Sequence, residues 1–160
     1  MDKEIIWNIE RTSPNILLGE VRIEKESKRL YLQMDYPQDF QYGLFLAVFD
    51  PKGRMRLQKL LGYGRQDLCI GEDGMHTTVG GMPGKIPTGS WRIVLGIFTE
   101  YLKRYAGTMP VEVRMTVTDQ EAAVTQPIGP ILWTHGMTAQ GIALDAYDWM
   151  TQRKKSAGWY

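Results

Sequence analysis

Cysteine and histidine are scarce in this 160-residue sequence, one and two copies, and net charge is nearly absent. With Cys69 alone, no internal disulfide can form. Its apolar setting, Leu68-Cys69-Ile70, reads as a buried structural thiol, with a reactive thiol as the alternative. Nineteen Lys plus Arg against eighteen Asp plus Glu leave no overall field to draw in nucleic acid, an anionic membrane or an acidic substrate. Partners must therefore be recognised locally. No run approaches the roughly 20 apolar residues of a membrane span, and the opening MDKEIIWNIER lacks the apolar core of a secretory signal. A soluble, cytoplasmic protein with no membrane or nucleic-acid partner is the expectation. At this length the chain buries roughly 70% of its unfolded surface and folds without metal or disulfide.

What the sequence has in quantity is turn chemistry, seventeen glycines and eight prolines. The stretch 80–98, GGMPGKIPTGSWRIVLGIF, reads as loop, tight turn and buried strand, its loop shaped by backbone chemistry with almost no reactive side chain. Upstream, Ile16–Ile23 and residues 29–34 alternate with period two around the polar Glu24-Lys25-Glu26-Ser27-Lys28, which predicts a meander joined by a charged turn. Leu44–Phe49 is apolar throughout, as in a strand buried on both faces. Asp50-Pro51-Lys52-Gly53 suits a type I turn, so this strand and Met55–Leu61 should form a hairpin.

Residues 68–70, bracketed by glycines, form another short strand, and 75–79 lead into the glycine-proline loop. Residues 91–99 and Val111–Thr118 complete the pattern. An all-β fold follows: an antiparallel β-sandwich of about eight strands over residues 1–118, with no helix of useful length between them. Residues 119–160 read as an irregular connection, with a short edge strand at 131–133 and a short helix. Ile142, Ala146, Trp149 and Met150 share one face of that helix, and Arg153-Lys154-Lys155 end it.

Chemistry-bearing motifs are thin. His76 and His135 stand far apart without a histidine or cysteine at ligand spacing. Glu72-Asp73 before His76 is the nearest approach to a metal cluster, and it is also ordinary turn sequence. Asp145 and Asp148 share a helical face but read as solvated. Gly84-Lys85 fails as a phosphate loop, because Val79 stands where a glycine is needed and Ile86 where Ser or Thr would hold magnesium. Ser90 has no histidine near it in sequence. Among the aromatic residues Trp7, Trp91, Trp133, Trp149 and Trp159, core packing is favoured over a sugar-stacking platform. Tyr63, between two glycines, is the one aromatic expected to be exposed and available for ligand stacking.

The order of the Asp50 to Gly53 turn, the Gly80 to Gly84 loop, the Pro87-Thr88-Gly89-Ser90-Trp91 turn and the strand RIVLGIF resembles a known domain. It is the N-terminal β-sandwich of bacterial metal-dependent phosphoesterases of the PHP (polymerase and histidinol phosphatase) superfamily, CehA/McbA-like branch. The final Gly158-Trp159-Tyr160 adds to the likeness. In that family such a pair directly precedes the lysine-glycine-aspartate-leucine-histidine-x-histidine segment that opens the catalytic barrel. The resemblance implies a non-catalytic accessory domain whose partner is a C-terminal catalytic domain absent from these 160 residues. It implies no metal or other cofactor in this chain, divalent metals belonging to that absent domain. The interdomain surface it suggests is Gly80, Gly81, Met82, Pro83, Gly84 and Lys85 together with Trp149, Trp159 and Tyr160. A free-standing module binding carbohydrate or peptide is the alternative, and an enzyme using His76 with Glu72 or Asp73 the third reading.

Overall fold

Residues 2–62, 65–105 and 109–129 are described by a computed structural model. Tyr63, Trp133, His135, Trp149, Trp159 and Tyr160, the expected strand at 131–133 and the expected helix from Ile142 lie outside the described residues. The described chain runs β1 (Asp2–Ile9), β2 (Ile16–Ile23), β3 (Arg29–Asp35), β4 (Leu44–Phe49), β5 (Met55–Leu61), β6 (Gln66–Gly71), β7 (Gly89–Ile97), α1 (Thr99–Tyr105) and β8 (Val111–Thr118). Two antiparallel sheets result, β1-β8-β3-β6 and β2-β7-β4-β5, and the expected all-β sandwich is the fold.

Alternation sets the two inner faces. Along β7, Trp91, Ile93, Leu95 and Ile97 are buried while Arg92 is exposed, and along β8 Val113, Met115 and Val117 turn inward against them. The β4–β5 hairpin closes as expected, with the Gly53 amide donating to the Asp50 carbonyl at 2.9 Å. Gly53 sits at φ +81°, and the register shifts between Val48 and Phe49, so a type I turn is followed by a left-handed residue and a bulge.

Three expectations are corrected. Ile16–Ile23 and the strand starting at Arg29 are not a meander: β2 and β3 belong to different sheets, and the charged link crosses the sandwich. Alternation reports only which side chains face inward, and five residues easily span the ~10 Å between packed sheets. The opening segment, read only as lacking a signal, is β1, paired along its whole length with β8. Acidic neighbours mask its alternation, but Ile5, Trp7 and Ile9 point to the core. A short helix, α1, does stand between β7 and β8. Its Leu102 is buried and its Tyr101 meets Phe40 at 6.4 Å between ring centroids, closing one end of the core.

The two outer faces differ in kind. On the first sheet Glu4, Arg114, Glu112 and Asp35 point out, with Arg114 within 3.8 Å of Glu4 and 2.7 Å of Glu112. On the second sheet the outward residues are largely apolar: Ile16 and Leu18 from β2, Val94 from β7, Phe45 and Phe49 from β4, Leu60 from β5.

Which face is core can be measured. Leu95→Ala, at the centre of the buried face, is expected to cost about 2–5 kcal/mol in urea denaturation. Thr116→Ala, on the outer face of the first sheet, should stay within about 0.5 kcal/mol. Similar losses at both positions would contradict the assigned register.

Candidate functional site

The glycine-proline loop is a strap across the open side of the sandwich, where β6 and β5 are the free edges. Thr77 and Thr78, both buried, engage β6 first. The Gly71 amide donates to Thr77 Oγ1 at 3.0 Å and the Cys69 amide to Thr78 Oγ1 at 2.8 Å, while the Thr78 amide donates to the Cys69 carbonyl. The strap then crosses to β5. The Gln58 amide donates to the Gly80 carbonyl at 3.1 Å and the Met82 amide to the Arg56 carbonyl at 2.8 Å. It returns with the Gly84 amide on the Gly71 carbonyl and bridges Ser27 through Ile86. Both edges are thereby covered, which removes two templates for strand addition. Gly80 sits at φ +100°, where a Cβ would lie 2.7 Å from the Gln58 oxygen, so only glycine fits.

A buried cation holds this loop. Arg56, 2% exposed, donates Nε to the Met82 carbonyl at 3.1 Å, Nη1 to Lys85 at 2.6 Å and Nη2 to Gly84 at 2.9 Å. Its guanidinium carbon lies 5.4 Å from the Trp91 ring centroid, and Nη1 is 3.5 Å from Asp50 Oδ2. Burial pulls the Arg56 guanidinium below its ordinary value, and Asp50 pushes it part of the way back. Asp50 is itself fixed, accepting from the Lys52 and Arg54 amides at 2.9 and 3.0 Å and from Arg54 Nε at 2.9 Å. Burial pushes its carboxyl up, but the Arg54 and Lys52 hydrogen bonds outweigh this and hold it below the usual carboxylate range.

Within the strap Pro83 is buried, Gly80, Gly81, Met82 and Gly84 are half-buried and Lys85 is exposed. Beside it lies a groove of about 570 Å³, lined by Glu26, Lys52, Arg54, Glu72 and Lys85 among others. Its mixed signs give no field for an anion or a cation. Asp73 Oδ1 and His76 Nδ1 lie within hydrogen-bonding distance, 2.7 Å, across one exposed turn. Glu72 faces the groove, which neither Asp73 nor His76 lines, so the three do not converge. Among the described residues no three of His, Cys, Asp or Glu are grouped to hold a metal ion, and no helix is long and apolar enough to cross a membrane.

Cys69 is buried, and burial raises its thiol to about 11, so it stays protonated and inert at neutral pH. Trp7 and Trp91 are core residues, their indole N–H groups donating to the Leu18 and Pro87 carbonyls. Two exposed aromatics were missed by sequence reasoning: Phe98, just past β7, and Tyr42, at φ +61° with its ring against Gly62. Arg56 and Asp50 were missed too. The spacing Asp50, Arg54, Arg56 was the available signal, yet nothing local says that the second arginine enters the interior.

After β8 the chain returns to the strap. The Thr125 and Gln126 amides donate to the Asp67 carbonyl, the Val79 amide to Pro127 and the Gly129 amide to Thr77. Met75, Val79 and Ile128 are exposed along this ribbon. No family model matches the chain, and no curated protein matches it.

Two measurements check the strap. Arg56→Met should cost about 3–5 kcal/mol, because Asp50 loses a buried partner and three carbonyls lose their donor. Arg56→Lys should recover little, since one ammonium cannot serve the fork of acceptors; urea titration and proteolysis between residues 80 and 87 read both. Asp50 holds its proton less tightly when folded than when unfolded. Its contribution is therefore complete above the unfolded value of about 3.9 and is lost as pH falls through the lower folded value. Asp50→Asn should be less stable at neutral pH and show a shallower loss of stability between about pH 5 and pH 2. An unchanged acid slope would mean that Asp50 does not titrate with folding.

Proposed function

We propose that this chain is a non-catalytic accessory β-sandwich that packs against and supports a metal-dependent catalytic domain of the PHP type. The observation that supports the reading best is the return of residues 125–129 to the strap. Whatever follows Gly129 leaves beside the loop named as the interdomain surface, among the exposed Met75, Val79 and Ile128. Exposed apolar groups around a chain exit suit a covered junction. Buried Arg56 engages the loop and is paired with buried Asp50, which suits a scaffold role. In the enzymes that the sequence resembles, metals in the barrel polarise a phosphoryl oxygen and lower the pKa of the attacking water.

A second reading, a carbohydrate- or peptide-binding module, draws on Tyr42 alone, an exposed ring held in a conformation that bulky residues rarely adopt. A polysaccharide that retards the chain in affinity electrophoresis, with Tyr42→Ala abolishing the retardation, would favour it.

The test of the first reading is a longer chain. Translation past Tyr160 should give a histidine-x-histidine segment within a few residues, and the extended protein should hydrolyse a generic phosphodiester with manganese or zinc. Val79→Asp with Ile128→Asp should lower the melting temperature of the extended protein by more than that of the 160-residue chain. A reading frame that closes at Tyr160, or metal-dependent hydrolysis by these 160 residues alone, would overturn the proposal.

A further inference from the structure

We propose that the outer face of the second sheet is the docking site for residues 142–150 of this same chain. Cross-strand register aligns Ile16, Gly96, Phe45 and Leu60 in one row across all four strands, and Leu18, Val94 and Ala47 in the next, which ends on the polar Gln58 of β5. Leu18 is 74% exposed, Ile16 61% and Leu60 44%. Toward the Asp50 to Gly53 turn the block gives onto an open concavity of about 1070 Å³, which Leu18, Phe49 and Val94 line together with the polar Glu20, Lys52 and Arg92. A sandwich sheet that faces water alternates apolar in and polar out, as the first sheet does here apart from Ile6 and Tyr31. Two adjoining apolar rows mark a surface that is covered.

Size selects the occupant. Three inter-strand spacings of ~4.8 Å make the block about 14 Å wide. A second copy laid on an area of that order would bury far less than the ~800 Å² per partner of a stable association. A nine-residue helix, about 14 Å long and ~10 Å across, matches it. Ile142, Ala146, Trp149 and Met150 fall at the spacings that share one helical face, which gives residues 142–150 the required apolar stripe.

Reach is sufficient. Gly129 is tied to Thr77, three residues before Gly80, whose carbonyl accepts the Gln58 amide of β5, an edge strand of this sheet. Residues 130–141 span up to ~40 Å when extended, enough to cross the sheet from that edge. This docking does not rest on the phosphoesterase reading, from whose suggested interdomain surface it withdraws Trp149, and its test needs no catalytic domain.

The experiment uses the 160-residue chain, whose only native thiol, Cys69, is buried and protonated and gives little background. A maleimide should label a Leu18→Cys variant roughly tenfold more slowly than a Thr116→Cys variant on the polar sheet. Trp149→Asp should abolish that difference, with circular dichroism confirming the sandwich. In an arm that does not depend on that variant, Leu18→Cys combined with Ala146→Cys should form an intramolecular disulfide under mild oxidation. Equal labelling at the two positions, protection that grows with protein concentration as a second copy would give, or failure of the disulfide to form would each overturn the proposal.

Discussion

The guanidinium of Arg56 is the point on which the rest of the structure depends. A buried arginine is tolerable only when its charge is paired and its N–H groups have acceptors, because desolvating an unpaired ion costs several kcal/mol. Here Asp50 supplies the charge, Trp91 the ring beneath, and the carbonyls of Met82, Gly84 and Lys85 the acceptors. The same contacts therefore fix three regions at once: the β4–β5 turn, the start of β7 and the loop between β6 and β7. Because the loop is held there, it can close the edges of β6 and β5 with its own backbone. A glycine-proline segment that is only a turn in isolation becomes a structural strap through one side chain from outside it.

Edge closure is uneven, and so is the surface. On the strap side, Thr77, Thr78, Gly80 and Met82 use the backbone groups of β6 and β5. On the opposite side β1 and β2 are the outer strands, and β1 carries Asp2, Lys3 and Glu4, charges of the kind that discourage further pairing. The outer face of the first sheet is mostly polar and ion-paired, while that of the second is apolar over two rows and polar beyond them, at Glu20 and Arg92. Such asymmetry costs solubility unless the apolar face has a cover. The described sandwich thus presents two unlike surfaces, the strap with its neighbouring ribbon and the largely apolar outer face of the second sheet.

Much of the fold was legible in the sequence. The period-two runs gave β2, β3 and β8 and the continuous apolar runs β4 and β7, all to within a residue or two, and Asp50-Pro51-Lys52-Gly53 gave the hairpin that adds β5. β1 was not legible, because its acidic neighbours dilute the apolar alternation and its partner, β8, lies about a hundred residues away. The meander of β2 with β3 failed for a related reason: a short polar link looks the same whether it turns within a sheet or crosses between sheets. The buried thiol and the core position of Trp91 were legible from their apolar settings. The candidate site was legible in location, since the strap was singled out by its glycines and prolines, but Arg56 was not.

The sequence by itself determined that strands would form, where most of them begin and end, and which of their side chains face inward. Those properties follow from local sterics and from a two-residue alternation that every strand carries within itself. Only the tertiary structure decided which sheet each strand enters, that an arginine of β5 becomes interior, and that one outer face is left apolar. Each of these depends on partners far apart in the chain. A charge is stable in a core only if its counter-ion and acceptors, brought by other segments, arrive there too.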